Sequence, residues 1–251
     1  MKIALLVAYD GTDLQGFARQ REGRTVQGFL EESLSQLLRV DVRTTGAGRT
    51  DAGVHAIGQV VSFEAPVGTD PQWVADRLNK RLGPEIAVRA AAIVPKDFDA
   101  RHRATKRTYE YRLVRASAPD PLRDRFTVWV PGGLNLTAMR RAAKGFVGEH
   151  DFSSFCRRAE GSMVRRLRTI TFRPAEGDLV IRVVGDSFCH QMVRSIVGFL
   201  LEVGRGKRSA DEVPKVLAQR DRGAAGPVAP AKGLTLVEVG YPRRPFARAA
   251  G

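Results

Sequence analysis

Apolar residues recur along the 251-residue chain with two periods, and the period decides the element. Lys2 to Tyr9 is a short apolar run closed by the turn signal Asp10-Gly11-Thr12, which predicts a strand. After a polar loop from Asp13 to Arg24, the residues Val26, Phe29, Leu30, Leu34, Leu37 and Leu38 fall on one helical face, with Thr25 placed to cap it. Val40 to Val42 and Gln59 to Glu64 read as strands. Pro71 opens a helix that ends near Leu82-Gly83-Pro84, and Ile86 to Val94 is a further strand.

Beyond the strand Thr108 to Val114 and the residue Arg115, the order of elements starts again. Leu136 to Phe146 reads as a helix and Gly148 to Phe155 as a loop. Two strands, Arg165 to Arg173 and Leu179 to Gly185, flank a Gly177-Asp178 turn. A helix from about His190 to Val203 stops at Gly204. Ser209-Ala-Asp-Glu212 is a capping box for a shorter helix in which Pro214 lies early enough to be tolerated. Leu234 to Gly240 is the last strand, and the Pro/Arg-rich tail after Tyr241 is expected to be loose. The pattern predicts an α+β fold built from two related halves, residues 1–104 and 105–251.

One stretch obeys neither period. Gly46-Ala-Gly-Arg-Thr-Asp51-Ala-Gly-Val-His55 is rich in glycine, which lets the backbone turn sharply and approach a bound group closely. In it stands one carboxylate, Asp51, two residues after Arg49. An Asp so placed can act as a nucleophile, accept a proton, bind a metal, or only bond nearby backbone N–H groups in a turn.

Composition changes this picture in one respect. The chain carries a net charge of +14, with arginine supplying 33 of its 41 basic residues. A GC-rich genome would favour arginine over lysine but not basic over acidic residues. The surplus therefore points to a polyanion, nucleic acid before an anionic membrane. The segment Phe98 to Arg107 holds five basic residues, counting His102, and runs into a strand bearing Tyr109 and Tyr111. Basic groups beside aromatics hold phosphates while rings stack on bases.

Other chemistries fit less well. No Gly-Lys-Ser/Thr follows the glycines as a P-loop needs, and Gly46-Ala-Gly48 lacks the third glycine of a dinucleotide fingerprint. The four histidines are scattered and neither cysteine belongs to a C-x-x-C motif, which argues against zinc. Asp10, Asp13 and Asp51 could hold magnesium in a nuclease, though their spacing does not require it. Cys156 and Cys189 do not make a disulfide framework. The apolar run after Met1-Lys2 is too short for a signal peptide, and no uncharged apolar stretch approaches the roughly 18 residues of a membrane span. These readings place the chain in the cytoplasm.

Gly48-Arg-Thr-Asp-Ala-Gly-Val-His-Ala56 resembles the active-site motif of the bacterial tRNA pseudouridine synthase A family. Tyr9-Asp-Gly-Thr12, Leu78-Asn79, Ile86-Ala-Val88, Phe98 to Tyr111, Gly148 to Phe155, Phe188 to Gly198 and Pro230 to Leu234 resemble further blocks of that family, in family order. Two places depart from it. The family's aromatic-rich Tyr-x-Gly-Trp-Gln is here Leu14-Gln-Gly-Phe-Ala18, and its His before Met-Val-Arg is Gln191.

The resemblance implies a pseudouridine synthase fold, with two α/β halves of mainly antiparallel sheet and flanking helices around a basic cleft. It implies isomerisation of uridine to pseudouridine in the anticodon stem-loop of tRNA, at positions 38–40, without metal or cofactor. It also implies a homodimer whose subunits share one tRNA. By the same resemblance Asp51 is the catalytic nucleophile or base, Tyr109 stacks on the uracil, and Arg49 fills the vacated stack or holds the flipped nucleotide. Arg194 is then the partner of Asp51. From the residues alone, two alternatives remain: a non-catalytic RNA-binding module and a metal-dependent nuclease.

Overall fold

A computed structural model describes residues 1–157, 161–175, 177–243 and 245–246. The chain divides into two compact units, residues 1–107 with 236–251, and residues 108–235.

The first unit is a mainly antiparallel sheet with two helices. Its strands are β1 (Lys2–Tyr9), β2 (Thr44–Gly46), β3 (His55–Glu64), β4 (Ile86–Val94) and β10 (Leu234–Gly240), in the order β4-β1-β3-β10 with β2 on β3. β1 runs antiparallel to both neighbours, Lys2 facing Glu64 and Val94, and Tyr9 facing Ala56 and Ile86. Helix α1 (Val26–Leu38) begins at Thr25, whose side chain accepts the Gly28 N–H as its sequence position predicts. Helix α2 (Pro71–Leu82) is capped by Asp70 and packs against α1 and β4.

The strand expected over Val40 to Val42 lies later, at β2. α1 ends with Arg39 in the left-handed region, so the chain reverses there and leaves Val40 exposed. Thr44 enters the sheet because the buried Glu31 carboxylate of α1 accepts its N–H at 2.9 Å and its hydroxyl at 3.2 Å. A long-range polar contact outweighs the local apolar pattern.

The second unit has the strand order β5-β9-β8-β7, from β5 (Lys106–Val114), β7 (Gly148–Asp151), β8 (Val164–Ala175) and β9 (Asp178–Gly185). The short β6 (Val128–Trp129) runs parallel to β5. Part of the expected Gly148 to Phe155 loop is thus a strand. Its polar residues sit at the sheet edge, paired with Val164 to Leu167. β8 and β9 form the expected hairpin, Ala175 facing Asp178, with Gly177 at φ 81. The unit's α-helices among the described residues are α3 (Leu136–Lys144), α4 (Met192–Gly204) and α5 (Val213–Gln219). α5 follows a turn carrying the expected capping box at Ser209 and Glu212.

Two further outcomes concern the cysteines and the tail, and the second differs from expectation. The two cysteines do not form a framework, yet Cys156 and Cys189 are joined in one disulfide, with Cα atoms 5.7 Å apart. The tail lies partly outside the described residues, but Tyr241 and Phe246 pack on a buried cluster of Ala4, Ala47, Val60, Val94, Phe98 and Ala100. The Tyr241 hydroxyl donates to Ala100 O at 2.6 Å, and its ring meets Phe98.

Candidate active site

Residues 46–55 join β2 to β3, and little of their backbone is left to itself. Ala47 N–H donates to Val60 O at 2.8 Å. The Arg107 guanidinium donates to Ala47 O at 2.9 Å, and also to the carbonyls of Arg101 and Ala104. Sequence pattern places Arg107 among the phosphate binders, whereas its donors here hold three carbonyls. The Gln59 amide takes both backbone groups of Gly48, donating to its O at 2.7 Å and accepting its N–H at 3.2 Å. Thr50 is fixed twice: its hydroxyl meets the Tyr9 hydroxyl at 2.8 Å, and its carbonyl accepts Phe17 N–H at 3.0 Å. Gly53 N–H donates to Leu14 O at 3.3 Å.

The departures from the family pattern at Leu14 and Phe17 thus find a place. Both side chains are buried, and the Phe17 ring lies against Gly46 so closely that a Cβ there would come within 2.2 Å of it. The turn at Asp10 to Thr12 closes the other end. A Cβ on Gly11 would stand 2.1 Å from Val54 O, and Gly11 N–H donates to His55 Nδ1 at 3.0 Å. Asp10 Oδ1 lies 3.2 Å from the same nitrogen.

On this frame stand the two charged residues of the motif. Arg49 is exposed and Asp51 half-buried, on either side of the buried Thr50. Asp51 O accepts Val54 N–H at 3.2 Å, closing a tight turn that uses Gly53 at φ 76. A carboxylate on so constrained a backbone can hold a fixed bearing toward a substrate carbon or proton.

The second unit carries the other two predicted residues. Tyr109 lies on β5, 7 % exposed, its ring edge-on to Phe188 at 5.2 Å between centroids. Two residues on, Tyr111 is fully buried and donates its hydroxyl to Pro230 O at 2.9 Å. Burial pushes the Tyr111 hydroxyl above its ordinary pKa, against the opposing charge of Arg194.

Arg194 belongs to α4, which is buried at every position except Arg194 and Glu202. Its Nε donates to Ala229 O at 2.8 Å, and its own carbonyl accepts Ala229 N–H at 3.1 Å. The 227–229 segment comes so near α4 that a Cβ on Gly198 would stand 2.0 Å from Pro227 O. The helix begins after Gln191, which takes φ 63, and Arg157 N–H donates to His190 O beside the Cys156–Cys189 bond.

The basic segment before Tyr109 is a capped turn. Asp99 accepts the N–H groups of Arg101 and His102, both at 2.8 Å. Burial raises its pKa, but these bonds and the His102 ring outweigh that and hold it below the usual carboxylate range. Arg101, His102 and Arg103 are exposed, and Arg103 pairs with Asp97.

Asp51 and Arg49 therefore share one loop of the first unit, and Tyr109 and Arg194 lie in the second. The sequence reading did not single out Tyr9, Gln59 or Phe17 as parts of the site. Gln59 did leave a signal: an amide inside the run Gly58 to Phe63, and it is 0 % exposed. Among the described residues no group of three or more His, Cys, Asp or Glu is arranged to hold a metal ion. Likewise, no helix among them is long and apolar enough to cross a membrane.

The model of the tRNA pseudouridine synthase family matches residues 5–102 and 142–242. A tRNA pseudouridine synthase A from Leifsonia xyli subsp. xyli is 43 % identical, over 96 % of this chain and 92 % of the relative. Those of Halalkalibacterium halodurans and Frankia casuarinae are each 45 % identical, over 93 % and 98 % of this chain and 90 % and 91 % of theirs. The chain belongs to the tRNA pseudouridine synthase family.

Proposed function

We propose that the chain isomerises uridine to pseudouridine in the anticodon stem-loop of tRNA, at positions 38–40, with Asp51 as the catalytic carboxylate. The observation that carries this reading is the family's motif, Gly48 to Ala56, folded as a loop whose backbone is held on both sides of Asp51.

The chemistry asks for little more than a well-aimed carboxylate and a place to hold the base. The N1–C1′ bond breaks, the uracil turns within the site, and C5 bonds to C1′. C5 then gives up its proton and N1 carries one, so the product is an isomer and no reductant or group donor enters the balance. Asp51 acts by attack on C1′ as a nucleophile or by taking the 2′ proton as a base. The target nucleotide first leaves its stack, at a cost of roughly a few kcal/mol. Arg49 fills the vacated stack or holds the turned-out nucleotide, and Tyr109 stacks on its uracil, a contact worth about 1–3 kcal/mol. Arg194 pairs with Asp51 and keeps it charged and aimed. The arginine surplus neutralises phosphates of the tRNA. Two copies of the chain share one tRNA, in the cytoplasm.

Purified protein incubated with unmodified tRNA, once with magnesium and once in EDTA, is the direct test. Pseudouridine at positions 38–40, with the strand intact, is the expected result. Tight binding without conversion would make the chain an RNA-binding module. Strand breaks that EDTA suppresses would make it a nuclease.

A further inference from the structure

Between Gly48 and Asp51 the chain has no strand partner, yet the Gly48 backbone and the Thr50 side chain are held from the buried side. Gln59 supplies what a neighbouring strand would: one donor and one acceptor, both to Gly48. Its Nε2 also lies 3.5 Å from the Tyr9 hydroxyl, at the outer limit of a hydrogen bond. If that nitrogen donates to the Tyr9 oxygen, the Tyr9 proton is directed to Thr50 Oγ1 at 2.8 Å. Gln59 is 0 %, Tyr9 5 % and Thr50 7 % exposed, so water does not compete for these bonds. Burial pushes the Tyr9 hydroxyl to about 12, against the lowering by its bonds to Thr50 and Gln59. It therefore remains a neutral donor across the working range.

Satisfying buried polar atoms is reason enough for such a network, but it does not decide which atoms are satisfied. Here they belong to the residues before and after Arg49, and Thr50 immediately precedes Asp51. We propose that Gln59 and Tyr9 are positioning residues that set the bearing of Asp51 through Gly48 and Thr50. The proposal rests on the reading of Asp51 as the reacting carboxylate. Neither Gln59 nor Tyr9 touches the substrate. Their effect is on geometry, and a displacement of about 1 Å at a reacting group costs on the order of a hundredfold in rate.

The test uses the full chain and tRNA, with kcat and KM measured separately alongside tRNA affinity and melting temperature. Tyr9→Phe removes one hydroxyl and keeps the ring, and Thr50→Val removes its partner at nearly constant volume. Each is expected to lower kcat at least tenfold while KM and tRNA affinity stay within twofold. The double variant is expected to lose little more than either single one, because both break the same bond. Gln59→Met, which keeps the length but not the amide, is expected to lower kcat more than either. Wild-type kcat in Tyr9→Phe, or additive losses in the double variant, would overturn the proposal. Losses that follow KM or folding instead of kcat would do the same. Asp51→Asn run in parallel keeps the two readings apart. Full turnover by Asp51→Asn refutes the catalytic carboxylate, whereas an inactive Asp51→Asn beside a fully active Tyr9→Phe refutes only the positioning.

Discussion

Asp51 and Arg194 are held by opposite means. Asp51 stands in a loop without regular structure, and several separate groups fix its neighbours: Arg107 at Ala47, Gln59 at Gly48, Tyr9 and Phe17 at Thr50, Leu14 at Gly53. Arg194 stands on a helix that is buried almost all round, and the 227–229 segment bonds it from outside. The loop gains an exact backbone path at the cost of many dependencies. The helix gains rigidity from burial and from the close approach of that segment. Under the proposed function, the loop suits the reacting carboxylate and the buried helix suits its partner charge.

The largest expected effect is on the loop's own carboxylate. Asp51→Asn is isosteric, so the frame and tRNA affinity should survive while product formation falls at least about 100-fold, as is typical for loss of a positioned base or nucleophile. A residual rate above about a hundredth of wild type would remove Asp51 from the chemistry.

Next come two tight glycines, one in each frame, whose losses can be compared. Gly198→Ala drives a Cβ toward the Pro227 carbonyl, a backbone atom that cannot turn aside, and should cost about 2–3 kcal/mol of stability. Gly46→Ala meets the Phe17 ring, which can shift although it is buried, and should cost about 1–2 kcal/mol. Denaturant midpoints of the two variants give the order, and a reversed order would mean that the loop is the stiffer frame.

Arg194→Lys is smaller and more specific. Lysine keeps the charge but lacks an Nε–H beside the fork to hold Ala229 O, so the ammonium loses its bearing. A loss of about tenfold in kcat is expected, with folding unchanged. Single-turnover kinetics against melting temperature separates the two.

The smallest effect lies in the pH dependence of stability. Tyr9 ionises at its ordinary 10.0 in the unfolded chain and near 12 in the folded one. Below pH 10 both states keep the proton and nothing changes. Between these values the unfolded chain loses it first, so stability falls as pH rises, by on the order of 1 kcal/mol at about pH 10.5. A phenylalanine in its place has no proton to lose, so the gap in melting temperature between wild type and Tyr9→Phe should narrow above pH 10. A constant gap would mean that Tyr9 is not buried as its bonds to Thr50 and Gln59 require.

What could be read in the sequence follows from the range of the forces involved. α1 with its Thr25 cap, α2 after Pro71, β4 and the Ser209 capping box are set by near neighbours, and they stand where the pattern puts them. β2 and β7 do not, because each owes its place to a distant partner: Glu31 for Thr44, and β8 for the polar edge at Gly148 to Asp151. The site divides in the same way. The glycine loop with Asp51 is a local pattern and announces itself. Its frame is assembled from Tyr9, Phe17, Gln59 and Arg107, up to sixty residues away along the chain, and only Gln59 looks out of place before folding. Arg107 reads as a phosphate ligand because composition counts charges and cannot see carbonyls.

The first unit is not continuous along the chain, and this bears on how the loop comes to be ordered. β3, which carries the loop's downstream end, has β10 as a neighbour, close enough that a Cβ on Gly58 would come within 2.2 Å of Val237 O. β10 leaves the ribosome only after the whole second unit has been made. Until then the nascent first unit has an open edge beside the Asp51 loop. A chain stopped before residue 234 would accordingly fail first in the unit that was synthesised earliest.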